Sequence, residues 1–171
     1  MVSLKKLVGE IEQTAVSLQF VRERLPPRCK AVKYQDLKGK HRSAVFKGVD
    51  AIVVLIPKKD QPIGHFIVLV PGKKSIEYFS SLGQSPWTEL EKLHESRVIF
   101  EKLLGGRFNY NRRAVQSGAY SINSCAVWVL LRAHFHSFKL RQFLSLFDRR
   151  ITLESPDEIA ATMGAALFQD R

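Results

Sequence analysis

Apolar and polar positions along the chain recur with two different periods. From Ser3 to about Leu25, the residues Leu4, Leu7, Val8, Ile11, Ala15 and Leu18 fall on one stripe, which predicts an amphipathic helix stopped by Pro26-Pro27. The next twenty residues, rich in Lys and Gly, read as a loop with one short strand around Ser43 to Phe46. Three β-type runs follow: AIVVLIP (51–57), GHFIVLVP (64–71) and SIEYFSSL (75–82). The turn signals Lys58-Lys59-Asp60-Gln61-Pro62 and Pro71-Gly72 between them predict an antiparallel meander. The first two runs are apolar almost throughout, as strands covered on both faces are. Ser85-Pro86-Trp87-Thr88-Glu89 opens a helix to about Leu104 that Gly105-Gly106 closes. Phe108 to Gln116 reads as a further strand. From about Ser121 to Phe147 a helical pattern is apolar nearly all round, which is the pattern of a buried helix. Ser155-Pro156-Asp157-Glu158 is a capping box that starts a final short helix. The order of elements predicts one α+β domain over residues 1–171: a central, mostly antiparallel sheet with a buried helix and further helices around it.

Composition agrees with a packed domain, since 171 residues that are 45% hydrophobic offer enough apolar surface to offset the entropy of ordering the chain. The longest apolar runs, Ala51 to Pro57 and Phe66 to Pro71, are far short of a membrane span, so no membrane partner is expected. MVSLKKLVGEIEQTA lacks the apolar core of a signal peptide. The two cysteines, Cys29 and Cys125, are too few for a disulfide framework and suggest an intracellular, reducing compartment. Charge changes the picture more. Twenty-seven Lys and Arg against sixteen Asp and Glu give +11 at neutral pH. Arg22 to Lys47 carries nine basic and two acidic residues, and Arg107 to Arg150 eight against one, so each flank is +7. Val49 to Gly106 balances seven against seven. Two readings stay open: one basic face that binds DNA or RNA, or solvated charge that confers solubility.

The candidate chemistry centres on Cys125, at the expected start of the buried helix. Unpaired amides and the positive end of a helix dipole favour a thiolate there. A thiolate nucleophile needs a base and a donor for the oxyanion. His65 at the head of a strand and Gln116 at the end of another are the candidates. A buried cysteine acting as a small hydrophobe is the bland alternative. Cys29, between Arg28 and Lys30, is a second thiol whose basic neighbours would depress its pKa. His134 and His136, two apart on a helix, splay and lack partners at ligand spacing, so no metal is expected. Gly105-Gly106 is a helix stop and not a phosphate loop.

VVLIPKKDQPIGHFIVLV, then SIEYFSSLG, then AVQSGAYSINSCAVWVLL resemble the adenain-like and SUMO-protease-like clan of cysteine peptidases, over roughly residues 51–135. The resemblance implies that His65 is the general base, Cys125 the nucleophile and Gln116 the oxyanion donor. It also places Ser80 where the clan carries the acid of its triad. Phe66 stands for the clan's Trp, Ala126 for the Gly after the cysteine, and the Gln-to-Cys spacing of nine is about two longer than usual. Asp50 and Asp60 are candidates for an acid supplied from elsewhere. The resemblance further implies a polypeptide substrate, either a viral precursor or a ubiquitin-like conjugate. It implies no required cofactor, with nucleic acid as an activator, and a place in the host cytoplasm, nucleus or virion. In the viral branch the enzyme works bound to DNA, so the basic flanks read as a tether. The competing reading is a degenerate protease fold that binds nucleic acid without turnover.

Overall fold

The computed structural model of the chain describes residues 16–58, 64–116, 124–148 and 155–168. Helix α1 (Leu18–Arg24) begins at Ser17, whose hydroxyl accepts the Phe20 amide, and ends at extended Leu25 ahead of the two prolines. A helix running unbroken from Ser3 is therefore not what forms: Ser17 is extended and caps a new start. Residues 3–15 of the expected helix lie outside the described residues.

The sheet comprises β1 (Cys29–Lys33), β2 (Ala51–Pro57), β3 (Gly64–Pro71), β4 (Ile76–Phe79) and β5 (Phe108–Tyr110), in that spatial order. Strands β2, β3 and β4 are the expected antiparallel meander, with Val53 opposite Val68 and Val68 opposite Phe79. Both edges are parallel: Cys29 of β1 pairs with Ala51, and Phe108 of β5 with Ile76. A parallel neighbour needs a crossover. A 3₁₀ turn (Tyr34–Leu37) and α2 (Arg42–Val45) supply the first; α3 (Pro86–Lys92) and α4 (Val98–Leu104) supply the second. The stretch expected to be loop thus holds β1, and the strand expected at 43–46 is a helical turn in which the His41 carbonyl accepts the Ala44 and Val45 amides. In β1 only Ala31 is buried, so two lysines dominate its pattern and hide it.

Two further expected elements are divided. The helix expected from Pro86 to Leu104 breaks at His94, which adopts a left-handed φ of 57°. The long helix expected to Phe147 is α5 (Ser124–His134) followed by α6 (Leu140–Ser145). Arg132 explains the second break, because its guanidinium donates to the carbonyls of Phe135 and Phe138 and so holds a turn there. The strand expected to reach Gln116 ends at Tyr110. The last helix, α7 (Pro156–Phe168), opens on the expected capping box: the Glu158 carboxylate accepts the Ser155 amide at 2.7 Å and the Ser155 hydroxyl accepts the Glu158 amide.

Both faces of the sheet are covered, which is why β2 and β3 read as continuous apolar runs. Val53, Phe66, Val68 and Phe79 pack against Trp128 and Leu131 of α5 and Phe143 of α6. Ile52, Val54, Ile67, Leu69 and Tyr78 pack against Tyr34, Leu90, Phe100 and Leu104. Each such fully buried side chain contributes on the order of 1.5–3 kcal/mol. The end of β2, the start of β3 and the end of β4 lie together at one rim of the sheet, because Ile56 pairs with His65 and Val68 with Phe79.

Candidate active site

At that rim Gly64 and His65 open β3. Gly64 is required by proximity: a Cβ there would lie 2.4 Å from the Ile56 carbonyl oxygen and 2.9 Å from a Leu55 methyl. The close approach seats His65 in the protein, 9% exposed. Its side chain is hydrogen-bonded to Cys125, the second residue of α5, itself 4% exposed. On its other side the ring Nε2 lies 3.0 Å from Ser80 Oγ and 3.6 Å from Glu89 Oε1. Burial is the largest influence on the His65 pKa and opposes its charged form. The hydrogen bonds to Cys125 and Glu89, and the negative charge of both, outweigh it and push the pKa from 6.5 up to about 10. The arrangement therefore favours an imidazolium next to a sulfur.

Ser80 follows β4 and is fully buried. Its hydroxyl donates to Glu89 Oε1 and accepts the Leu82 amide at 3.2 Å. The second oxygen of Glu89 accepts the Tyr78 hydroxyl, and Glu89 is 2% exposed. Burial, with the Glu89 carboxylate beside it, raises the Tyr78 pKa well above its usual value, so this phenol stays a donor. Asn111 holds the Ser80 backbone from both sides, accepting its amide at 3.0 Å and donating to its carbonyl at 2.6 Å.

Gln116 belongs to the same block. The Ser81 carbonyl accepts the amides of Val115 and Gln116 at 2.9 and 3.1 Å, and the Ser81 hydroxyl donates to Gln116 Oε1 at 2.7 Å. Holding the amide by its oxygen directs its NH₂ group as the donor end. Gly83 makes the fit possible. It has a left-handed φ of 65°, and a Cβ on it would lie 2.3 Å from Arg113 C and Ala114 N. Ser117 to Asn123, between Gln116 and α5, lie outside the described residues.

The structure thus brings His65, Cys125 and Ser80 together and ties Gln116 to the residue after Ser80. The carboxylate next to the imidazole is Glu89, which the sequence reading passed over. One signal pointed to it: in PWTELEK, Glu89 lies three residues after Pro86 and beside Leu90, on the stripe that the helix buries. Asp50 is not the acid, because it pairs with Arg28 at 2.9 Å on the surface; Asp60 lies outside the described residues. Cys29 contradicts its expected activation. Burial in β1 leads, Asp50 adds to it, and the thiol is pushed up to about 11 despite Arg28. The two basic flanks do not share one sheet edge, since β1 and β5 are the two outermost strands.

No protein-family model matches the chain, and no curated protein does. Among solved structures it is similar to the C-terminal Ulp1 protease domain in complex with Smt3, the yeast ortholog of SUMO. The identity is 12% and the TM-score 0.43, over 96% of this chain and 76% of that one. It is also similar to the SUMO protease Ulp1 with its catalytic cysteine oxidized to a sulfonic acid, at 14% identity and a TM-score of 0.36, over 95% and 78% of the two chains.

Proposed function

We propose that the chain is a cysteine peptidase in which Cys125 is the nucleophile and His65 its base and acid. The observation that carries this reading is the buried hydrogen bond between the two side chains, with the imidazole pKa raised to about 10. Nε2 faces Ser80 and Glu89, which leaves Nδ1 to face the sulfur. The thiol proton passes to that nitrogen, and the thiolate attacks a peptide carbonyl. The imidazolium then protonates the departing amine, and water hydrolyses the Cys125 thioester with His65 again as base. The N-terminus of α5 supports the thiolate, and the Gln116 NH₂ group is the oxyanion donor. The substrate is a polypeptide, either a viral precursor or a ubiquitin-like conjugate. The test is cleavage of a panel of both kinds by the wild type and Cys125→Ala, with mass-spectrometric trapping of the acyl-enzyme. Cleavage that Cys125→Ala abolishes, with the adduct on Cys125, supports the reading; a panel left uncut and no adduct would sink it.

The exposed side chains of Arg22, Arg28, Lys33, Lys38, Lys40 and Lys47 around β1 favour a second, compatible role, a nucleic-acid contact that tethers the enzyme. It predicts DNA affinity that falls steeply with salt and weakens when Lys38 and Lys40 are neutralised. Affinity indifferent to both excludes the tether.

A further inference from the structure

We infer that Glu89 is the orienting acid of this site and acts on His65 through the Ser80 hydroxyl, in place of a carboxylate carried by residue 80 itself. The inference rests on the peptidase reading of His65 and Cys125 and adds a positioning pair to it. The geometry of one oxygen atom carries it. Ser80 Oγ gives its only proton to Glu89 Oε1, accepts the Leu82 amide at 3.2 Å, and lies 3.0 Å from His65 Nε2. An oxygen whose proton is committed can meet Nε2 only as an acceptor, so Nε2 carries the ring proton and the opposite nitrogen is left for the thiol. The bridge therefore sets the tautomer that a base for Cys125 needs.

Glu89 adds charge to this geometry. Its Oε1 is 3.6 Å from Nε2, close enough to stabilise the imidazolium directly. Its other oxygen is occupied by the Tyr78 hydroxyl, so α3 and β4 hold the carboxylate from both ends. The Asn111 side chain, bonded to the amide and carbonyl of Ser80, fixes the bridging residue. A serine carries no charge at the position where the clan carries its acid, and the reach of a glutamate from the next helix makes up for it. Among the described residues, the charged and titratable groups that face His65 are Cys125 from α5 and Glu89 from α3, with Tyr78 of β4 behind the latter.

The test reads His65 itself and needs no turnover. In protein labelled at the imidazole nitrogens, the His65 titration is followed by NMR in the wild type, Glu89→Gln, Ser80→Ala and Ser80→Asp/Glu89→Gln. Removing a carboxylate at this range lowers the midpoint by about 1–3 pH units. Glu89→Gln is expected to lower it by at least one unit. Ser80→Ala, which keeps the charge and deletes the bridge, lowers it by less and weakens the preference for a proton on Nε2. Ser80→Asp in the Glu89→Gln background brings the midpoint back, which separates an acid beside the ring from a glutamate needed only for packing. A smaller fall in Glu89→Gln, an unaltered tautomer preference in Ser80→Ala, or a midpoint that Ser80→Asp leaves low overturns the inference. If the wild type cleaves nothing, the peptidase reading fails by itself, while the titration still decides whether Glu89 governs His65 through Ser80.

Discussion

Two carboxylates meet at strand β4, half-buried Glu77 on one face and buried Glu89 against the other, and they have opposite characters. Glu77 meets Arg132 of α5 at 2.7 and 3.0 Å, and the same guanidinium closes on the Phe135 and Phe138 carbonyls and lies over the Phe143 ring. Glu89 meets two hydroxyls and an imidazole, and the imidazole continues to a thiol. A guanidinium holds its proton at any pH a protein survives, so the first site can only brace α5 against the sheet. An imidazole exchanges its proton, and the sulfur beyond it can use that proton. The comparison teaches that a carboxylate turned towards the core is a brace or a device according to what its partner can release.

Breaking each site should expose that difference. His65→Ala is expected to lower cleavage about 10²–10⁴-fold and to lower stability by an amount that shrinks as pH rises towards 10. Arg132→Leu should act on stability alone, and at every pH. It leaves Glu77 and the Phe135 and Phe138 carbonyls without their donor, which costs about 1–3 kcal/mol in denaturant unfolding, and the double variant Arg132→Leu/Glu77→Leu should recover part of that loss. A fully stable Arg132→Leu would remove the brace from the account.

pH sharpens the contrast further. His65 has its folded pKa raised from 6.5 to about 10, so the stability it contributes is complete below pH 6.5 and is lost as pH rises through about 10. The stability difference between the wild type and His65→Gln should therefore shrink between pH 7 and pH 10. The Arg132–Glu77 pair should show no such trend. A smaller effect is expected at Gly83, where Ala meets both a left-handed φ and the 113–114 backbone. Gly83→Ala should cost roughly 1–2 kcal/mol from the backbone alone and reduce kcat more than it raises KM, because Gln116 hangs on the same block. The smallest is at Asp50: Asp50→Asn removes a pair whose arginine is 66% exposed and should change stability by about 0–1 kcal/mol.

These sites also mark how far the sequence could be read. Strands β2 and β3 were legible to the residue, because burial on both faces writes a continuous apolar run bounded by turn residues. The Ser155 capping box was legible because its two hydrogen bonds are local. The convergence of His65, Ser80 and Cys125 was foreseen through a resemblance and not through periodicity. Glu89 was not foreseen, because its role depends on where α3 lands, and no local pattern states that. The same limit hid the end of α5: the helix stops where Arg132 binds the Phe135 and Phe138 carbonyls that follow it, an event that a run of apolar residues cannot show. Strand β1 was lost to its two lysines, which a parallel edge strand can carry with a single buried side chain.

The central claim is that His65 makes Cys125 a nucleophile, and the molecule holds its own control. Cys29 is a half-buried thiol that its burial pushes up to about 11. Competitive alkylation with iodoacetamide at pH 6.5, mapped by mass spectrometry, compares the two thiols in one tube. The account predicts that Cys125 is alkylated while Cys29 stays unmodified, and that His65→Ala abolishes the preference. Equal labelling, faster labelling of Cys29, or a preference that survives His65→Ala would contradict it.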